Sequence, residues 1–448
     1  MSKARDIADS TTTLDVDGGT IKLDGNYPVG TKNVALGDTA LDAVQSGAEN
    51  NIAVGASALS SVTTGNDNTA VGNFSLASTT GSQNTGVGQQ ALRFNTSGQY
   101  NTAQGYRALF SNTTASYNTA VGYQAAYSIT GSQYNTAIGR GALYSHTTGN
   151  GGNVAVGYDA NRSLTTGSNN VSVGANAAYA MTTGLYNVAL GGNALRSNTT
   201  ASSNTAVGYQ AGYSNTTGAE NVLVGYKAGY SSTTGNGLTA VGRQALEDNT
   251  ASNNTALGFA VMSNNTTGGF NTALGGANYG FTGGAMHSNT TGSYNTALGN
   301  QALHGNTTAN SNTGIGYKAL FANTTGVSNT TVGTNSLDAN TTGSNNVAMG
   351  QSSLGTSTTG SYNTALGAGS LVLNTTAAYN TAVGYQAGYS YNGALGSNTY
   401  LGFQAGQNST GDSNTFVGAR VISSGKGCGQ DMTTGAKNTI LGAYSGNQ

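Results

Sequence analysis

The sequence is poor in the residues that most folds and most chemistries depend on. Its 448 residues include one cysteine (Cys428), one proline (Pro28), three histidines and no tryptophan. Lys+Arg number 15 and Asp+Glu 16, so 7% of residues are charged, against roughly a quarter in an average soluble domain. A single cysteine excludes a disulfide framework and any zinc site built on thiolates. A net charge of −1 and a pI of 6.3 exclude the basic footprint of a nucleic-acid binder. No run approaches the ~18 apolar residues of a spanning helix, so no membrane insertion is expected. The opening Met1-Ser-Lys-Ala-Arg-Asp6 lacks the apolar core of a secretory signal. Scarce proline, with no glycine at every third position, excludes collagen.

What is present is small, polar and periodic. Glycine accounts for 70 residues and tyrosine for 25. Low net charge with many β-branched and aromatic residues argues for order, not disorder. One motif, Asn-Thr-Ala-Val-Gly with variations, recurs 24 times, from Gly37, Gly55 and Gly72 to Gly402, Gly418 and Gly442. Of the 23 spacings, 15 are 17 residues, six are 16 or 18, and two are 24. Such a period is too short for a helical hairpin repeat, which needs more than ~30 residues. It suits one coil of a β-solenoid.

The residue before each repeat glycine is apolar except at Gln104, which reads as tolerated strain. Thr or Val lies two positions earlier (Thr205, Val222, Thr239), on the same strand face. The residue between them is usually a small Ala (Ala206, Ala240), which would allow close approach on the other face. The glycine ends or turns the strand, because it tolerates positive φ. A second short run follows, Gln90-Ala-Leu92 or Gln210-Ala-Gly212, and then a Thr-Thr-Gly turn. Each unit is thus expected to hold two short strands and two turns, around a thin core of Ala, Val and Leu. One coil cannot bury its apolar side alone, but stacked coils can. At ~4.8 Å per coil, the 24 coils of a single stack would span on the order of 115 Å. Recurrent Asn, Thr and Tyr should form side-chain ladders along it. The expected architecture is an all-β, parallel, left-handed β-roll-like solenoid forming a homotrimeric rod, with the Ala-Leu run packed between chains.

Two segments depart from the period. Residues 276–298 and 419–441 each carry seven extra residues. Such insertions map to loops on one face, as decoration or as ligand contacts. Residues 1–32 precede the first repeat and hold five Asp, at 6, 9, 15, 17 and 24. Alternation from Thr13 to Leu23 around Asp17-Gly18 signals a hairpin. This segment reads as a solenoid cap, a docking piece, or both, and residues 33–448 read as the repeat shaft. No cap is visible after Gly442, which fits a protected trimer tip, a further domain lost from that end, or one that lies on another chain.

Few catalytic or metal-binding patterns are available. The histidines are His146, His287 and His304, of which His287 and His304 fall one coil apart without a third ligand. Calcium-binding solenoid repeats need an Asp in every turn, which 16 acids cannot supply. No nucleophile-elbow motif occurs, and the periodic glycines do not make a phosphate loop. Cys428 reads as an inert thiol. No catalytic, cofactor-binding or metal-binding residue is assigned, and no enzymatic activity is expected. Tyrosines form two sets, one after the repeat glycine (Tyr106, Tyr123, Tyr209) and one before the motif Asn (Tyr100, Tyr117, Tyr134). They read as stacked ladders in preference to a sugar-binding row.

The units Asn153-Val-Ala-Val-Gly157 and Asn187-Val-Ala-Leu-Gly191 resemble the head repeats of trimeric autotransporter adhesins, whose heads are left-handed parallel β-rolls with a shorter period. Together with Met1-Ser-Lys-Ala-Arg-Asp-Ile-Ala8 and Asp17-Gly-Gly-Thr-Ile-Lys-Leu-Asp-Gly-Asn-Tyr-Pro-Val-Gly30, the whole chain looks like bacteriophage tail fibres and related appendages. That resemblance implies a virion structural protein assembled in the host cytoplasm. It also implies a homotrimer, attachment to a tail, baseplate or capsid protein through the N-terminal segment, and contact with a host surface glycan or protein. The lack of a secretory signal, stalk and anchor favours a virion protein over a surface adhesin. An ice-binding solenoid is a second expectation from the Thr rows, although adjacent Thr165-Thr166 sit in a turn. A polysaccharide depolymerase spike is a third, with few acids to serve it.

Overall fold

The computed structural model describes residues 14–16, 19–21, 32–277, 283–420, 427–429 and 432–443. The chain divides into two compact units, Met1–Glu220 and Asn221–Gln448. The first unit opens with β1 (Leu14–Val16) and β2 (Gly19–Ile21), paired antiparallel with Leu14 opposite Ile21. This is the expected hairpin. Its turn residues Asp17 and Gly18 lie outside the described residues.

Eleven three-residue strands follow in that unit, from β3 (Val34–Leu36) to β13 (Thr205–Val207). The second unit carries thirteen, from β14 (Val222–Val224) to β26 (Thr439–Leu441). Within each unit every strand pairs in parallel with the strand one coil away, as in Val154↔Val171, Ala155↔Ser172 and Val156↔Val173. The shift between partners equals the repeat length, including across the irregular 24-residue step from Thr272 to Thr296. The fold is an all-β parallel solenoid with a 17-residue period, as the glycine spacing required, and the described residues contain no helix.

The interior differs from expectation in three respects. First, each coil has one strand, not two. The Gln-Ala-Leu run is a sequence of turns in which Gln90 and Leu92 adopt φ of 61° and 51°. Alternate left-handed residues fold the run inward, and its amides bond to adjacent coils: Gln90 N–H to the Asn73 carbonyl (2.9 Å) and Leu92 N–H to the Ala108 carbonyl (3.0 Å). Second, the Ala-Leu run is core. Ala91, Leu92, Ala108 and Leu109 are all fully buried within the single chain, so they cannot form the stripe between chains. Third, the strand shows its small residue to the core. Ala70, Ala103, Ala120 and Ala137 are fully buried, whereas the aliphatic neighbours point out, with Val71 37% and Leu190 44% exposed. Gln104, in β7 (Thr102–Gln104), is accordingly exposed and unstrained.

The core keeps its volume by exchange between positions. The commonest coils combine a strand Ala with a Leu four residues after the repeat glycine, as in Ala103 with Leu109. Beside the large strand residues Leu223, Tyr400 and Phe416 that position is Gly: Gly229 beside Leu223, Gly388 and Gly406 on either side of Tyr400, and Gly429, set further along by the insertion, beside Phe416. A Cβ on Gly229 would lie 2.8 Å from Leu223, and one on Gly388 would lie 2.5 Å from Tyr400. Close packing leaves room for only one of the two side chains.

The repeat glycine has two causes. Gly122 sits at φ +135°, which disfavours side chains. In addition, its Cβ would point along the stack, 2.6 Å from the carbonyl oxygen of Gly139, the same position one coil on.

The two insertions leave the solenoid at the same corner. In the first, Gly275 is followed ten residues later by Ala285, fully buried in the slot that ordinary coils fill three residues after the glycine. In the second, Gly418 is followed ten residues later by Cys428 in that slot. Its carbonyl accepts the Gly406 amide at 2.9 Å, as the Ala405 carbonyl accepts the Gly388 amide at 2.9 Å. The tips, residues 278–282 and 421–426, lie outside the described residues.

Candidate functional site: side-chain ladders on the coil

Each coil places the same side chain above the last, so the chemistry is arranged in columns. The most buried column is the motif asparagine. Asn68 donates through Nδ2 to Asn51 Oδ1 (3.1 Å) and to the Gly81 carbonyl (3.0 Å), and its own Oδ1 accepts the Asn84 amide (3.0 Å). The pattern repeats through Asn101, Asn118, Asn135, Asn153, Asn170 and Asn187. In the second unit Leu238 interrupts it, and Asn254 turns instead to Asn249 (2.8 Å). A second column runs through the turn asparagines, with Asn306 donating to Asn289 and Asn340 to Asn323, both at 2.8 Å. A threonine column bonds the opposite way, from the earlier coil's hydroxyl to the later coil's carbonyl, as in Thr96 to Thr113 (2.8 Å). Buried amides without partners would each cost ~1–3 kcal/mol; the motif-asparagine ladder supplies partners coil by coil, whereas the turn column leaves atoms such as Asn112 Oδ1 and Asn340 Oδ1 unpaired.

Aromatic columns lie outside. Tyr100, Tyr117 and Tyr134 stack at 4.9 and 5.2 Å, and Tyr106 stacks on Tyr123 at 5.3 Å. Both sets are the ladders that the sequence suggested. A third column, at the fifth residue after the repeat glycine, escaped that reading: Phe110, Tyr127 and Tyr144 stack at 5.0 Å. It was visible in the sequence as a further aromatic recurrence, obscured because Arg and other residues share the position.

Cations seat themselves on these rings. The Arg93 guanidinium lies 4.7 Å from the Phe74 ring and Arg107 lies 5.0 Å from Tyr106. Arg162 lies 4.8 Å from Tyr144, Arg140 5.1 Å from Tyr158 and Arg196 5.6 Å from both Tyr179 and Tyr213. Asp159, nearly buried, pairs with Arg162 (2.7 Å) and Arg140 (3.6 Å).

The histidines divide as the register predicted. His287 and His304 stack at 5.6 Å. Burial, together with the neighbouring His304, lowers the His287 pKa. His287 Nδ1 is 2.7 Å from the Ser263 hydroxyl. His146 is buried at a turn-asparagine position, 2.7 Å from the Ser132 hydroxyl, and burial pulls its pKa down to about 4. No group of three His, Cys, Asp or Glu converges among the described residues. Cys428 is buried and its thiol pKa is pushed up by burial, which disfavours the reactive thiolate. Tyr391 donates to Asp412 at 2.5 Å, and Asp412 also accepts the Gly396 amide at 3.1 Å. Burial raises the Tyr391 phenol, as fits a structural bond closing that irregular coil.

Comparison of the chain with protein-family models and with curated proteins gives no match.

Proposed function

We propose that the chain is a rigid structural fibre: a virion appendage of the phage tail-fibre kind, without enzymatic activity. In this reading it self-associates as a homotrimer and attaches through residues 1–32 to a tail, baseplate or capsid protein. It then reaches a glycan or protein on the host surface. The observation that carries the reading is the outward face of each parallel sheet. That face is a column of Thr beside a column of Val, Leu and Ile, with Ile138 40% and Leu257 41% exposed. Parallel sheets are ordinarily covered on both faces, and this uncharged face supports cover by further copies of the chain. It takes the place of the Ala-Leu run as the stripe between chains.

Electron microscopy and sedimentation of the full chain test the proposal. Slender particles with the mass of three chains are expected, and compact monomers reject it. Ile138→Asp with Leu190→Asp alters residues already exposed in one chain, so it should separate the copies while leaving each folded. An ice-binding reading is favoured by one observation, the outward strand threonines Thr119, Thr136 and Thr205 beside aliphatic residues. Absence of thermal hysteresis disposes of it.

A further inference from the structure

The charges are sorted along the chain. Residues 1–67 hold nine acids and four bases, while residues 68–220 hold five arginines against Asp159 and Glu220. All five arginines (Arg93, Arg107, Arg140, Arg162 and Arg196) lie over aromatic rings of the columns that follow the repeat glycine. Glu220 occupies a different column, five residues before a repeat glycine. Asp159 is therefore the single carboxylate beside them among these residues.

A shield for the rings has no need of charge. The position of Arg107, two residues after the repeat glycine, is held by neutral Gln90, Gln124 and Gln210 in other coils of this unit. Arg93 and Arg107 belong to successive coils, about 5 Å apart along the stack, where like charges repel. The excess positive charge is thus a cost in the free protein, and an anion lying along the columns would remove it.

We infer that this arginine–aromatic face of residues 68–220 binds an acidic polysaccharide, a linear chain carrying carboxylates or sulfates at intervals. The inference deepens the surface-recognition part of the proposed function and rests on it. Two features favour a glycan over a nucleic acid. In the column of Phe110, Tyr127 and Tyr144 the ring faces are already occupied by neighbouring rings, 7° from parallel in Phe110–Tyr127 and Tyr127–Tyr144, or by guanidinium groups, so this column offers nucleobases no platform to stack on. The five cations are also sparse. The six coil steps from Gly88 to Gly191 extend about 29 Å, far below the charge density of duplex DNA at one phosphate per ~1.7 Å. Arg140 is exposed and the other four arginines are half-buried; Arg140 and Arg196 each donate to a tyrosine hydroxyl, of Tyr158 and Tyr213, and the further guanidinium N–H groups are donors suited to carboxylates and sugar hydroxyls.

The test measures binding of the full chain to alginate, to neutral dextran and to single-stranded DNA of equal total charge, at low and at high salt. Alginate should bind at low salt and be released at high salt, dextran should not bind, and DNA should bind more weakly than alginate. The triple variant R93Q/R107Q/R196Q leaves the Asp159 pairs intact. It should keep the thermal midpoint and weaken alginate binding by about tenfold. Failure to bind alginate, or equal binding by the variant, overturns the inference, and stronger binding of DNA overturns it in favour of a nucleic acid. Slender trimers that do not bind alginate would sink this inference alone and leave the fibre reading standing.

Discussion

At the scale of single residues, position within the coil decides what a side chain can be. The repeat glycine and an ordinary turn glycine make the contrast plain. A Cβ on Gly122 would strike the Gly139 carbonyl at 2.6 Å, whereas one on Gly131 would meet nothing within 4 Å. Gly122→Ala should destabilise the protein by about 3 kcal/mol or more in urea unfolding. Gly131→Ala should change it by less than about 0.5 kcal/mol. His146 gives a pH signature. Burial pulls its pKa down to about 4 in the fold, below the 6.5 usual for a histidine. The unfolded chain therefore takes up a proton first as pH falls. Stability is unaffected above pH ~7 and declines between about 6.5 and 4, by roughly 3 kcal/mol at the lower limit. His146→Asn, which places the usual turn residue there, should flatten that decline in unfolding measured from pH 7 to pH 4. The glycine column was legible in the sequence because only one residue type tolerates both constraints. The inward Ala was harder to see. Alternation tells which strand residues share a face but not which face is inside, and Val beside Thr looked more core-like than Ala.

At the scale of the coil, the exchange between Ala-plus-Leu and large-plus-Gly makes two distant positions one packing problem. Tyr400→Ala should leave a cavity and cost about 3–5 kcal/mol. Adding Gly388→Leu, which alone would collide with Tyr400, should recover part of that loss. The double variant would then be more stable than the sum of the single effects allows, as a double-mutant cycle would show. The Leu backbone fits the site, since Leu371, one coil earlier, already adopts φ 49°. This exchange was present in the sequence as Gly212, Gly229, Gly388 and Gly406 standing where Leu is usual. The sequence alone does not reveal its meaning, because the Gln-Ala-Leu run reads there as a second strand. Three residues of strand are too few to reveal where strand stops and turn begins, and left-handed Leu and Gln run against ordinary backbone preference.

At the scale of the whole molecule, the period carried the fold almost unaided. Each strand from β3 to β26 ends just before its repeat glycine, and among the described residues these strands pack against those one coil away. Length is therefore modular. Deleting residues 276–282 joins Gly275 to Gly283, restores the ordinary three-residue path to Ala285 and leaves a 17-residue spacing. The thermal midpoint should stay within a few degrees of the parent, and circular dichroism should be unchanged. What the period could not reveal is the surface. The arginines scatter over three positions of the repeat and look random until the coil brings those positions to one side.

Between ladder partners, asparagine Nδ2 donates backwards to the preceding asparagine and threonine hydroxyls donate forwards, so the two flat sides of a coil are not equivalent. A coil cannot stack upside down. It can, however, sit one step too far along, since nearly every neighbour offers the same key. During folding, the absolute alignment must then be read from the misfits: the oversized Tyr400 and Phe416, the interrupting Leu238, and the seven-residue insertions after Gly275 and Gly418. These irregular coils are the page numbers of an otherwise uniform text.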